Sequence, residues 1–382
     1  MSIEYKNKDI TVQHNRKKAE SMLFYIFWGV LMTVNALGYG FGNTVSRRIC
    51  YLSVIFVLLK FLISDYTKKE TLICAALVAV GVFIWYFSGK ITPLFTMIAI
   101  TSMKNVSYDK AVKFTFWVTG VIFVVKTTLA ILGVTDIERI VLSTGRVRYR
   151  LNYDHSNVVH EILFMIITSG ILAYHSRLKL YHYLALEIYN YFIYWYTDSR
   201  TGFLVVTVCI ALSCIADYKH IGPKLYKILK AVSDKTFTMI ALLSILATLL
   251  YSMLLRFSFL DSDIDYSDKF ATLFLRYKNA SEIIKDNPLS LFGVPEVSTV
   301  DGMINIIYGN GIIFMLLFLT GYYLLLRRYK DKEDFFFMIV CCCYALYCVT
   351  EASPASILMN HTLLAFSELI FKGQTIYGKD AI

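Results

Sequence analysis

Residues 139–157 read RIVLSTGRVRYRLNYDHSN, and a largely apolar run of membrane-spanning length lies on either side, at 113–133 and at 157–174. The stretch holds four arginines and no lysine. A chain that keeps four guanidinium groups at the mouth of two apolar helices has something anionic to hold there. Runs of roughly 17–25 apolar residues mark membrane-spanning helices. Counting outward from this pair gives about twelve, near 22–42, 49–64, 71–88, 91–103, 113–133, 157–174, 182–196, 201–216, 236–255, 307–326, 335–350 and 355–371.

The whole composition agrees. Of 382 residues, 57% are hydrophobic and 17% charged, against about 25% charged in soluble domains. The expectation is an all-α polytopic membrane protein with about twelve transmembrane helices and two long extracellular loops, 134–156 and 256–306. The spans use up the length, so residues 1–382 read as a single integral membrane domain. No A-x-A cleavage site follows the first apolar run, which is long enough to span and is expected to stay as an uncleaved first helix.

Loop charge sets the orientation, with both termini in the cytoplasm. On that orientation, 19 lysines and 4 arginines lie inside, while 4 lysines and 9 arginines lie outside. A topology signal alone has no reason to prefer arginine outside. Phosphate recognition does, because the planar fork donates two parallel hydrogen bonds and keeps its charge. The net charge of +10 therefore points to lipid phosphate; no nucleic-acid-binding motif is visible. All eight cysteines lie in or beside apolar runs and read as buried free thiols. No nucleotide-binding glycine loop, paired-cysteine spacing or H-E-x-x-H zinc pair occurs, so no cofactor is implied.

Within the first long loop, Thr135 and Glu138 stand at capping-box spacing, predicting a short helix that ends at Gly145. The following alternation, extended, puts Arg146, Arg148 and Arg150 on one face. The second loop opens on Asp261, Asp263, Asp265 and Asp268. It continues into a predicted interfacial helix over 268–285, stopped by Asn287-Pro288, with Arg276 on the flank of its apolar face and in reach of headgroups. Arg200, in Thr197-Asp198-Ser199-Arg200-Thr201-Gly202, is either a phosphate ligand or an arginine snorkelling from a tight turn. For the loop arginines the competing account is headgroup attraction, about 1 kcal/mol per charge near an anionic surface. Lysine would do that equally well. His155 is either a proton carrier or hydrogen-bond donor to a sugar or phosphate, or part of a helix cap with Ser156 and Asn157. Lys60, Lys126, His160, Glu161, Glu187 and Glu368 fall inside spans. Ion pairing is the expectation for them, with Lys126 reaching Glu161 or Glu187. Glu351, at the outer end of the eleventh span, is a base or orients an arginine.

Three pieces of the chain resemble the Wzy-type polysaccharide polymerases, relatives of the O-antigen ligases. His155-Ser156-Asn157 resembles the family's H-P-N, with Ser156 in place of proline and Asp154 where glycine is common. Ser199-Arg200-Thr201-Gly202 resembles its S-R-T-(G/A). Asn287-Pro288, Phe292-Gly293, Asp301, Asn305 and Tyr308-Gly309-Asn310-Gly311-Ile312 resemble the run into a late span. The resemblance implies metal-free transfer of a glycan from undecaprenyl diphosphate onto a second lipid-linked repeat unit, in a bacterial inner membrane. Flippase and chain-length-regulator proteins would be partners. Arg146, Arg148, Arg150, Arg200 and Arg276 would hold diphosphates, Asn157, Ser199 and Asn305 would contact substrate, and His155, Asp301 or Glu351 would carry the proton. Ligase activity, or transport of the lipid-linked glycan, are the alternatives. A transporter would show repeat symmetry and midplane substrate groups, whereas the notable charges here gather in outer loops.

Overall fold

A computed structural model of the protein describes residues 2–141, 145–217, 222–256, 271–295, 297 and 302–371. It is helical almost throughout. In order run α1 (Ser2–Ala36), α2 (Thr44–Ile63), α3 (Lys68–Ser88), α4 (Thr92–Thr101) and α5 (Tyr108–Ile131). A small hairpin of β1 (Arg139–Val141) and β2 (Val147–Tyr149) precedes α6 (Ser156–Tyr174), α7 (Leu180–Thr197), α8 (Arg200–Asp217) and α9 (Gly222–Val232). Then come α10 (Thr236–Arg256), α11 (Ala271–Asp286), the single turn α12 (Gly302–Ile304), α13 (Ile312–Asp331), α14 (Phe335–Tyr347) and α15 (Ser367–Ile370).

The distribution of polarity across single helices is that of a membrane protein. On α2 the buried side carries Ser46, Cys50, Ser53, Val57 and Lys60. Leu52, Ile55, Leu58 and Leu62 point outward, from 55% to 81% exposed. Water would expel that leucine face, whereas hydrocarbon accepts it and leaves small residues for helix contacts. Seven helical segments among the described residues are long and apolar enough to cross a membrane: 13–36, 68–88, 108–131, 156–177, 200–217, 227–253 and 312–331. The other five expected spans divide. α2 and α7 are unbroken helices of 20 and 18 residues. α4 and α14 reach only 10 and 13. The expected span at 355–371 is no continuous helix.

That last segment breaks into 3-10 turns at Ser353–Ala355 and His361–Phe366 before α15. Asn360 replaces the missing helical bonds: its Nδ2 donates to Tyr322 Oη and to Pro354 O, both at 2.7 Å, and its Oδ1 accepts from Thr362 N. Irregular backbone is tolerable at membrane depth only when protein surrounds it. Ile357, Asn360, His361, Thr362, Leu364 and Ala365 are accordingly fully enclosed. A second irregularity precedes α13, where Asn305–Asn310 forms a π-helical turn. The segment 290–294 runs beside it, with Val294 N donating to Tyr308 O and Ile312 N to Ser290 O. Gly293 and Gly311, both at positive φ, sit where an added Cβ would meet the facing backbone. Close packing, not flexibility, is what those glycines provide.

The first long loop corrects the expectation of a helix after Thr135. Arg139 pairs with Tyr149, Ile140 with Arg148 and Val141 with Val147. The β-branched residues favour this ladder, and Glu138 is drawn across it, accepting from Arg150 N through its backbone and from Arg150 Nη1 through its side chain. Leu151 and Asn152 then take left-handed φ of 47° and 63°, reversing the chain so that Tyr153 N bonds back to Arg150 O. The reversal drives Leu151 and Tyr153 into the core. Tyr153 Oη donates to Ala36 O at the end of α1, beneath Lys126 Nζ, which lies 3.9 Å from the ring centre. A loop anchored this way can hold its arginines in place.

Candidate anion site at the arginine end of the bundle

The arginines converge on one residue that sequence reading quoted but gave no task. Asp198 caps α7 in a left-handed conformation, φ 46°. It pairs with Arg146, and lies 3.8 Å from Arg148 Nε and 3.8 Å from Arg200 Nε. Three guanidinium groups around one carboxylate leave positive charge to spare. Burial, together with Arg146, Arg200 and Arg276, holds Arg148 below the ordinary arginine value, against the pull of Asp198. Arg148 Nε is buried with no hydrogen-bond partner among the described residues. Arg200 remains half exposed at the rim. Arg150, at the end of β2, is engaged by Glu138 rather than Asp198, 2.7 Å away.

The turn between α7 and α8 is held by small polar contacts. Thr197 Oγ1 donates to Ile193 O and meets His160 Nδ1 at 3.0 Å, while Ser199 Oγ donates to Asn157 Oδ1 at 3.2 Å. Gly202 is required by the crossing of α6 and α8, since a Cβ there would stand 2.5 Å from His160 Cβ. Asn157 spends its other end on Glu351, Nδ2 donating to Oε1 at 3.0 Å. Arg276 reaches the same oxygen at 3.4 Å and also donates to Thr350 O. The expected helix around it exists as α11, but this arginine turns inward to Glu351 instead of out to headgroups. Glu351 is buried, 7% exposed, and burial raises its proton affinity against the opposing Arg276, Asn157 and Glu161.

His155 is itself the cap of α6: Asn157 N donates to its Nδ1 at 3.1 Å. The proton of a neutral ring therefore sits on Nε2. Burial and the nearby Arg148 and Arg150 lower its proton affinity, so the ring stays neutral. Asn305 is held by a residue the sequence reading passed over. Lys90, just after α3, donates to Asn305 Oδ1 at 2.7 Å and to Val297 O at 2.8 Å, and burial lowers its pKa to about 8. Gly302, at the start of the same turn, packs on Cys348 O and Glu351 O. Asn305 thus lies one turn along from the Glu351 segment, on a turn fixed by Lys90. Asp301 and the acidic patch Asp261, Asp263, Asp265 and Asp268 lie outside the described residues.

The charges inside spans have partners, though not all the expected ones. Lys126 bonds Leu37 O rather than Glu161 or Glu187, because it faces the end of α1. Glu187 accepts from Thr207 Oγ1 at 2.7 Å. Lys60 Nζ donates to Lys104 O and Glu20 O, and Glu368 pairs with Arg328 and Lys332. These last two sit at the far end of the bundle, with Lys104–Glu70 and Lys330–Asp234. All eight cysteines are free thiols. Asp198 could have been found from sequence, since clustered arginines need a counter-charge to stay folded and this one stands within the same short motif. Lys90 could not, because nothing local marks it. No family model, curated protein or solved structure matches the chain.

Proposed function

We propose that this chain is a membrane glycosyltransferase that polymerises undecaprenyl-diphosphate-linked oligosaccharide repeat units into an exopolysaccharide or capsule. On this reading it crosses a bacterial cytoplasmic membrane about twelve times, with both termini inside and the arginine end outside. The observation that carries the reading is the gathering of Arg146, Arg148 and Arg200 on Asp198, with Arg276 and Glu351 alongside. Breaking a sugar–diphosphate bond builds negative charge on the leaving phosphate. Fixed guanidinium groups stabilise that charge more than they stabilise the intact donor, and that difference accelerates the reaction. The acceptor hydroxyl must lose a proton as it attacks, and carboxylates stand within the same cluster. Of these side chains, Arg200 lies within a motif that resembles the Wzy-type polymerases, and Arg146 and Arg148 lie in the arginine-rich loop that ends on another, His155-Ser156-Asn157.

Arg200→Lys tests the reading, since lysine keeps the charge and loses the planar fork. The expected outcome is loss of polymer, with membrane insertion unchanged and single lipid-linked repeats accumulating. Polymer of normal length in that variant would remove Arg200 from the mechanism.

A further inference from the structure

The end of the bundle away from the arginine cluster carries an apolar groove that the anion site does not use. α3 packs on α4, α4 on the 3-10 turn His361–Phe366, and that turn on α13. A cavity of about 240 Å³ lies along this row. Its walls include Ile73 and Leu77 of α3, Met97 of α4, Thr320 and Leu324 of α13 and Leu369 of α15. Among the described residues that line it, Thr96 and Thr320 bring the only hydroxyls, and that of Thr96 is spent on Thr92 O. Leu324 is 44% exposed, so the cavity opens outward as a groove. The gap follows from the chain's own architecture. α4 has ten residues and the last apolar run breaks into 3-10 turns, so neither fills the depth that α3 and α13 cross. An apolar hollow of this kind stays dry, and a void forfeits the dispersion contacts of its lining. A hydrocarbon chain restores them.

The groove runs out into charge. Lys69 stands one turn before Ile73 and two before Leu77, while Arg327 stands one turn beyond Leu324 and two beyond Thr320. Each therefore continues a lining stripe of its own helix. Both are exposed, and neither has an ion-pair partner among the described residues. The neighbouring acids are engaged: Glu70 pairs with Lys104, and Glu368 is shared between Arg328 and Lys332. Setting Asp331 against Lys68, Lys69 and Arg327 still leaves this mouth cationic. Basic residues at the end of a span are ordinary topology. Basic residues that continue both walls of a groove open to lipid make a headgroup site, as basic pockets between spans do. We propose that the groove holds one acyl chain of an anionic diacyl phospholipid from the leaflet at the lysine end, with its phosphate held at the mouth by Lys69 and Arg327. The site stands apart from the Arg148 cluster and does not depend on glycosyl transfer. The lipid fills what α4 leaves open and steadies the broken last segment against α13.

The test is native mass spectrometry of the full chain released from nanodiscs of phosphatidylglycerol and phosphatidylcholine in equal amounts, with thermal unfolding followed on the same preparations. The wild type keeps one phosphatidylglycerol, and unfolds at a higher temperature when that lipid is present. Lys69→Gln with Arg327→Gln weakens retention about 30-fold, the scale of two charges lost at a membrane surface. Lys17→Gln with Lys18→Gln, two exposed lysines of α1 at the same end, leaves it unchanged. Thr320→Trp fills the groove and expels the lipid; should it fail to fold, Leu324→Phe, a smaller addition at the exposed rim, takes its place. Equal retention of both lipids, or of neither, overturns the proposal. So does equal loss in the two double variants, which reduces the effect to surface attraction. Lipid kept by the folded groove-filling variant places it elsewhere, and displacement by added undecaprenyl phosphate gives the groove to an isoprenoid; either result also overturns the proposal. None of these outcomes depends on polymer being made.

Discussion

His155 separates two jobs by nitrogen. Its Nδ1 is committed to the first turn of α6, which leaves Nε2–H as the ring's donor. His155→Asn keeps a good capping side chain and removes the imidazole, whereas His155→Ala removes both. Losing the cap costs about 1 kcal/mol, so thermal unfolding in detergent should fall by a few degrees in Ala and hardly at all in Asn, with polymer yield falling in both. The pH sign follows from the lowered proton affinity. The unfolded chain protonates this ring near pH 6.5 while the folded chain still resists, so folding stability is lost as pH drops below about 6.5. His155→Asn should flatten that part of the stability profile. An unchanged profile, or normal polymer in the stable Asn variant, would leave the ring with no role beyond its cap.

At the scale of elements, the hairpin divides the arginines that alternation had placed together. The expectation of an extended segment with arginines on one face holds for Arg146 and Arg148, which both reach Asp198. It fails for Arg150, because β2 ends at Tyr149 and the turn at Leu151-Asn152 leaves Arg150 beside Glu138. Sequence could not reveal that, since two successive left-handed residues without glycine carry no reliable local signal. The short helix expected at Thr135 failed for a related reason: cross-strand pairing outweighed a capping pattern. Arg148→Ala should therefore lower polymerisation about ten-fold or more, the scale of one lost charge-assisted contact, and Arg150→Ala less than three-fold. Equal losses in a quantitative polymerisation assay would contradict this division. The π-helical turn was equally illegible, although Asn305, Gly309 and Gly311 were singled out, because Lys90, which holds Asn305, comes from a distant part of the chain.

At the scale of the whole molecule, apolar run length located the seven helical segments that are long enough to cross a membrane, since hydrocarbon thickness is a constraint that composition alone reports. It misread the segment after Pro354. There the run is apolar because protein encloses it, not because lipid does, and Asn360 was the residue whose polarity gave the break away. The site was legible as residue types, arginine over lysine and short motifs at helix starts. The joining of its parts was not, because Glu351 meets Asn157 and Arg276 only where α6, α11 and the end of α14 come together. The central claim is that this crossing holds a lipid-linked diphosphate for glycan transfer. The purified chain in nanodiscs, given undecaprenyl-diphosphate-linked repeat units as its sole substrate and no added metal, tests it most directly. The account predicts a ladder of lipid-linked products that lengthens with time. Repeat units recovered as single units from folded, correctly inserted protein would contradict it.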